Sequence, residues 1–329
     1  MTGALVAGGA AFLVAGALVP LLVRFAAGRN LLDVPNARSS HEVPTPRLGG
    51  VGVVLGAWAG ALLLDLRAAW PLLAAATLVA LVGLADDLSG LHFGAKAAAQ
   101  AVVASGLLLL FPPPVLSGAP EDWLGAAVFF GGVLWLCALC NAYNFMDGID
   151  GITGGVALAN ALFLYALAGE AGAFLPALAG AAAGFLVWNI SPASIFMGDA
   201  GSYFLGFSLA AAALYAPGGS PAWDPRVSLA CALVFTPYLF DTGYTIIRRL
   251  RRGVGKGIFS AHREHIYQRI TPSTGMHRRT SNLYYGAAVV CGFAALSAAR
   301  GGAMLALGVA LALACCLLLA ALPRLVRSR

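Results

Sequence analysis

Charge is what this chain has least of. Of its 329 residues only 10% are Asp, Glu, Lys or Arg, against 60% hydrophobic, whereas an ordinary soluble domain carries about 25% charge. That shortage excludes a water-soluble globule, a disordered chain and a nucleic-acid binder. A disulfide framework is missing too. The six cysteines all stand in apolar stretches, and although Cys137 and Cys140 have CxxC spacing, their Leu and Trp neighbours mark them as packing residues. No internal repeat, low-complexity tail or appended soluble domain is visible. The first apolar stretch lacks the basic lead and small-residue cleavage site of a signal peptide.

What is present is apolar sequence in long runs. At about 20 residues per membrane-crossing helix, hydropathy marks candidate spans at 4–26, 49–66, 70–85, 96–112, 123–140, 153–169, 172–188, 203–216, 227–247, 283–299 and 302–322. Runs such as Ala303–Leu322 are apolar on every face, unlike the alternating strands of an outer-membrane barrel. The expected fold is an all-α, polytopic integral membrane protein of about 11 transmembrane helices, with residues 1–329 forming one domain.

Sorting the intervening loops by side gathers 17 of the 20 Lys and Arg residues together, with only Arg67, Arg226 and Arg300 opposite. The positive-inside rule then predicts an external N-terminus and a cytoplasmic C-terminus. Nine of the 14 acidic residues and all five histidines (His41, His92, His262, His265 and His277) lie on or near that same side, which the rule does not demand. Chemistry is therefore expected at the cytoplasmic face.

Four polar clusters interrupt the apolar runs there. The first loop, Asp33–Gly50, is stiffened by Pro35, Pro44 and Pro46 and ends in Gly49-Gly50, a pair that lets backbone approach a neighbour or a ligand. It is either a positive-inside connector or part of a site. Asp86 and Asp87 follow an apolar run. Adjacent carboxylates repel at a membrane edge, and a divalent cation shared with a phosphate ligand would relieve them. Lys96 and Gln100, one turn apart on the next helix, are placed to face the same spot. The third cluster, Asn141–Gly151, packs Asn141, Asn144, Asp147 and Asp150 with two glycines into eleven residues; its Asp-Gly pairs suggest tight turns that expose carboxylates and N–H groups. The fourth, Asn189–Ser202, sets Asp199 between Gly198 and Gly201. Farther on, Asp241 within a span is either functional or paired with Arg248 or Arg249. In the last loop, if it is helical, His262 and His265 share a face. They suit hydrogen-bonding or charge-pairing an anion better than holding Mg²⁺.

Taken together, Pro46–Gly50, Asp86-Asp87, Asn141–Gly151 and Asn189–Gly201 with its Phe196-Met197-Gly198-Asp199-Ala200-Gly201 core resemble the polyprenyl-phosphate N-acetylhexosamine-1-phosphate transferases, over roughly residues 20–282. The resemblance implies about eleven spans, a site facing the cytoplasm, and residence in the inner membrane of a bacterium. It implies transfer of N-acetylhexosamine-1-phosphate from a UDP-N-acetylhexosamine to undecaprenyl phosphate, releasing UMP and beginning O-antigen, capsule or cell-wall glycan synthesis. Mg²⁺ is the implied cofactor, with Mn²⁺ as an alternative, held by Asp199 with Asp87 nearby, while Asp86 resembles the residue that deprotonates the lipid phosphate. Arg47, Lys96, Asn141, Asn144, Asp147, Asp150, Asn189, Arg263 and His265 are the implied substrate-binding set. Membrane lipid is a further partner, nucleic acid is not, and a homodimer is compatible with these spans.

The last loop departs from the pattern of the peptidoglycan-specific branch. That branch carries consecutive histidines where this chain reads His262-Arg263-Glu264-His265, which looks more like the O-antigen or capsule-initiating subgroup. Two other readings use similar parts. An Mg-dependent intramembrane prenyltransferase also employs Asp-rich segments, but it usually needs two on helices. A small-molecule transporter predicts midplane charge and repeated halves.

Overall fold

The computed structural model describes residues 2–29, 31–35, 43–64, 69–117, 122–168, 172–216, 224–253, 262–271 and 276–327. His41 in the first loop and Lys256 in the last lie outside them. The described chain is helical almost throughout: α1 (Thr2–Gly28), α2 (Gly49–Ala61), α3 (Trp70–Ser89), α4 (Phe93–Leu110), α5 (Pro114–Ser117), α6 (Trp123–Met146), α7 (Ile152–Ala168), α8 (Leu175–Asn189), α9 (Gly198–Tyr215), α10 (Pro225–Val234), α11 (Thr236–Arg251), α12 (Ile266–Ile270), α13 (His277–Ala299) and α14 (Gly302–Arg327).

Every apolar stretch marked in the sequence overlaps one of these helices, except that 227–247 becomes two, α10 and α11, bent by 71° at the break between them. Six helices (α1, α3, α4, α6, α13 and α14) are long and apolar enough to cross a membrane, or seven if the bent pair is one span. The helices α2, α7 and α8 are apolar but shorter. The chain is thus a multi-pass helical membrane protein. Large side chains such as Val102, Leu110, Phe130 and Leu317 lie exposed on the outside of the bundle, as a lipid solvent permits.

Small residues set how closely the helices approach. A Cβ on Gly180 of α8 would stand 2.0 Å from the carbonyl oxygen of Gly8 on α1, and one on Gly184 would stand 2.3 Å from that of Phe12. Gly56 and Gly60 bring α2 against α1 as well, with a Cβ there 2.8 Å from the carbonyl oxygen of Ala11 and 2.4 Å from that of Ala7. At the centre is α9, with 15 of its 18 residues buried and α2, α3, α6 and α7 packed around it. A helix apolar on all sides has no solvent face to give. Its first turn carries Asp199, so the one charge on α9 is delivered to the middle of the helix ends.

One feature departs from the all-α expectation. Leu32–Asp33 (β1) and Thr45–Pro46 (β2) pair antiparallel, Leu32 opposite Pro46 and Asp33 opposite Thr45. Proline restricts the residue before it to extended backbone, and this chain has prolines at 35, 44 and 46.

Candidate active site

The first loop and the fourth cluster are stitched together through their backbones. Phe196 N–H donates to the Pro46 carbonyl at 2.8 Å, Gly49 N–H to that of Phe196 at 2.9 Å, and Gly50 N–H to that of Met197 at 2.8 Å. The glycines make this approach possible. A Cβ on Gly50 would lie 2.2 Å from the amide nitrogen of Gly201, and one on Gly198, whose φ is +73°, would lie 2.6 Å from Oδ2 of Asp87. Of the two readings of the Gly49-Gly50 pair, it is a neighbouring backbone that they meet.

Around this seam the acidic residues divide their work. Asp87 accepts the N–H groups of Asp199 at 3.1 Å and Ala200 at 3.2 Å, one on each oxygen. Its side chain is 3% exposed, and Arg47 Nε stands 4.0 Å away. Asp86 turns elsewhere, accepting the Leu91 N–H and the Lys96 ammonium, each at 2.5 Å. Lys96 also lies 3.5 Å from Asp199 Oδ2, while Asn144 donates to Asp199 Oδ1 at 2.8 Å. Lys96 thus bridges the carboxylates of Asp86 and Asp199. Asn141 donates to Gln100 at 2.6 Å, one turn along α4 from Lys96.

The second half of the third cluster is a buried staple. Asn189 accepts the Gly151 N–H at 2.9 Å and donates to the Ile195 carbonyl at 2.8 Å, joining the third cluster to the fourth. The Asp150 carboxylate does not project into the open, as the turn chemistry suggested. It is 5% exposed, lies 3.3 Å from His277 Nδ1 and accepts the Ala193 N–H at 3.3 Å. Burial pushes its pKa up, but the hydrogen bond and charge of His277, with Ser191 and the Ala193 amide, hold it below the ordinary carboxylate value. Asp147 goes the other way. Burial pushes it up to about 7, and the charge of Asp87 adds to the rise.

The last loop is not helical where the histidines stand. His262 and His265 precede α12, with their rings stacked at 5.1 Å. Burial, then the proximity of His265 and Arg249, push His262 down to about 4. Arg263 is exposed. The expected pairing of Asp241 with Arg248 or Arg249 is not formed; Glu264 takes Arg249 at 2.5 Å, Arg252 at 3.2 Å and Arg248 at 3.8 Å.

The structure thus brings Asp86, Asp87, Lys96, Asn144 and Asp199 into one network, with Arg47 at its edge, while Asn141 bonds to Gln100 beside it. Asp147 stands close enough to feel the Asp87 charge, and Asp150 and Asn189 shape the adjoining backbone. Two participants carry no strong sequence signal. Gly83 sits one turn before Asp87 in an apolar helix, and His277 was visible only as one histidine among five. Among the described residues no three His, Cys, Asp or Glu side chains converge as a complete metal cage. Mg²⁺ does not need one, because it usually takes one or two carboxylates and completes its shell with water and phosphate oxygens. Asp87, the expected partner of Asp199 for the metal, has both oxygens on the α9 amides, so Asp86 and Asp199, with one ammonium between them, are the donor pair of that kind.

A family model for glycosyl transferase family 4 matches residues 69–216, the stretch from α3 to the end of α9 that holds Asp86, Lys96, Asn144 and Asp199. A probable undecaprenyl-phosphate N-acetylglucosaminyl 1-phosphate transferase of Bacillus subtilis is 28% identical over 282 residues, 82% of this chain and 77% of the relative. An undecaprenyl-phosphate alpha-N-acetylglucosaminyl 1-phosphate transferase of Thermotoga maritima is 31% identical over 77% of this chain and 78% of the relative. The chain belongs to the polyprenyl-phosphate N-acetylhexosamine-1-phosphate transferase family. Within this transferase family the likeness extends to a phospho-N-acetylmuramoyl-pentapeptide-transferase of Desulforudis audaxviator, 33% identical over 65% of this chain and 76% of the relative. As a transferase, then, the protein has its polar network inside the matched region, and the two flanking loops dock onto it from outside.

Proposed function

We propose that this chain transfers N-acetylhexosamine-1-phosphate from a UDP-sugar to undecaprenyl phosphate, releasing UMP, at the cytoplasmic face of a bacterial inner membrane. The observation that carries the reading is the placement of Asp199. It stands at the start of the buried α9, fixed from behind by Asp87, and faces Asp86 and Lys96. One phosphoanhydride is broken and one is formed, so the reaction is nearly isoergic and the protein's task is to bring two anions together.

The lipid phosphate has a second pKa of about 6 and is mostly dianionic at neutral pH, so it needs positioning more than deprotonation. Asp86 and Asp199 are the residues that would hold Mg²⁺, which when bound neutralises charge on the phosphates. Lys96 adds a fixed cation where charge develops on the diphosphate. Asn144 keeps the Asp199 carboxylate turned toward Lys96, and Asp87 fixes its backbone. Asn141, Asp147, Arg47, Arg263 and His265 are the candidate contacts for the nucleotide, sugar and diphosphate. Eleven crossings, with the N-terminus outside and the C-terminus in the cytoplasm, are consistent with the loop charges. N-acetylglucosamine and its 6-deoxy relatives are the donor sugars that fit the non-consecutive histidines of the last loop, and a surface-glycan pathway follows from them.

Purified protein in detergent or nanodiscs, supplied with undecaprenyl phosphate, Mg²⁺ and a panel of UDP-sugars, should release UMP and form a diphospho-lipid. Release of inorganic diphosphate instead, or no turnover with any UDP-N-acetylhexosamine, overturns the assignment.

A further inference from the structure

Asp241 has no part in the reaction above, yet it is among the most heavily engaged side chains in the protein. It is a carboxylate on α11 with 0% exposure, and burying a charge costs several kcal/mol unless hydrogen bonds replace the lost water. Here they do. Asp241 accepts the backbone N–H of Ile266 at 2.8 Å and of Tyr267 at 3.1 Å, the Tyr284 hydroxyl at 2.5 Å and the Thr245 hydroxyl at 3.3 Å, and stands 3.1 Å from His265 Nδ1. Three of those partners belong to the start of α12 in the last loop and one to α13. Asp241 therefore fastens the loop to two helices at once.

Two consequences follow from elementary chemistry. An ionised carboxylate only accepts, so the contact with Asp241 favours the His265 tautomer with its proton on Nδ1, and in the neutral ring the lone pair is then on Nε2. The fastening also sets what the loop touches. The His265 ring packs 6.1 Å from that of Phe145, the Tyr267 hydroxyl donates to the Phe145 carbonyl at 3.1 Å, and Tyr267 lies so close over Gly148 that a Cβ there would meet its hydroxyl at 2.1 Å. Phe145 and Gly148 bracket Asp147 and follow Asn144, the residue that orients Asp199.

We infer that Asp241 is a positioning residue of the transferase site: it selects the Nδ1–H form of His265, leaving Nε2 to accept a hydrogen bond from an N–H or O–H of the sugar nucleotide, and presses residues 265–267 onto the Asn144–Gly148 turn. The inference rests on the transferase reading for its substrate and on geometry alone for the ring. It assigns to Asp241 a role other than neutralising the arginines of its own helix.

Two measurements on the full chain separate these parts. Nitrogen-15 histidine spectra of the wild-type protein should show His265 in the Nδ1–H form, and Asp241→Asn, whose amide can donate to Nδ1, should shift it toward Nε2–H. A wild-type His265 protonated only on Nε2 overturns the inference, whether or not any donor sugar turns over. In the UMP-release assay, Asp241→Asn and His265→Ala should each lower kcat/KM about tenfold, and the double variant should fall no more than about twofold further, because contacting residues couple. Losses that multiply to about a hundredfold, as independent sites give, overturn it as well. Absence of turnover in the wild type would instead sink the transferase reading and leave the spectra to judge Asp241.

Discussion

Asp87 holds Asp199 by its backbone: the carboxylate of one accepts the N–H of the other at 3.1 Å and that of Ala200 at 3.2 Å. This anion at the head of α9 meets two amides that the helix itself cannot satisfy. It also accounts for two adjacent carboxylates on α3. Successive side chains on a helix point about 100° apart, so Asp86 turns to Lys96 while Asp87 turns to α9.

Asp87→Asn should therefore cripple the enzyme without touching the reacting groups. An amide can accept one of the two N–H bonds but presents its NH₂ to the other. Hydrogen bonds to a charged group contribute about 1.5–3 kcal/mol, so UMP release is expected to fall about 10- to 100-fold. Glu should not restore it, since the Gly198 side of the carboxylate has no room for a methylene. Wild-type turnover in Asp87→Asn would show that α9 keeps its place unaided.

Gly83→Ala tests the same seam from the opposite direction. In an exposed helix this change adds about 1 kcal/mol of stability. Here the new Cβ would stand 2.5 Å from both the carbonyl carbon and the oxygen of Asp199, which is backbone that cannot rotate away. Separation of α3 from α9 should abolish turnover, and size-exclusion chromatography would reveal whether the protein stays monodisperse. An active Gly83→Ala enzyme would refute the tight contact.

Asn189→Ala should act on stability first. It leaves the buried Gly151 N–H and Ile195 carbonyl without the partners they now have at 2.9 and 2.8 Å, at a cost of about 1–3 kcal/mol for each group. A lowered thermal midpoint in detergent is the expected reading. An unchanged midpoint would mean that water replaces both bonds.

Asp147 predicts a pH dependence with a definite sign. Burial raises it from 3.8 to about 7, so between those values the folded state holds a proton that the unfolded chain releases. Stability from this group is greatest at the acid end of that window and falls as pH rises toward 7. In metal-free buffer the midpoint of Asp147→Asn should lose that slope. A wild-type and variant pair with parallel profiles would assign the slope to other groups.

Much of the site was legible because its residues are chemically conspicuous. Asp86, Asp199 and Asn144 are polar groups in apolar surroundings, and hydrophobic length placed a helix at every expected span. The rest was invisible because one dimension does not carry it. Gly83 looks like any small residue of a span until Asp199 is found against it. Asp150 reads as an exposed turn carboxylate until His277, far along the chain, arrives 3.3 Å away. Asp241 had arginines seven and eight residues on as obvious partners, yet the bend of 71° between α10 and α11 and the docking of α12 gave it backbone amides and His265 instead.

By itself, then, the sequence determined that the chain lies in a membrane, that it is helical, and which few charged residues interrupt its apolar runs, since these follow from the cost of burying polar groups in lipid. The tertiary structure alone decided how those charges divide. Whether a carboxylate grips a helix end, faces a lysine or locks a histidine depends on which distant backbone reaches it, and that is set by glycine-to-backbone packing between helices, not by spacing along the chain.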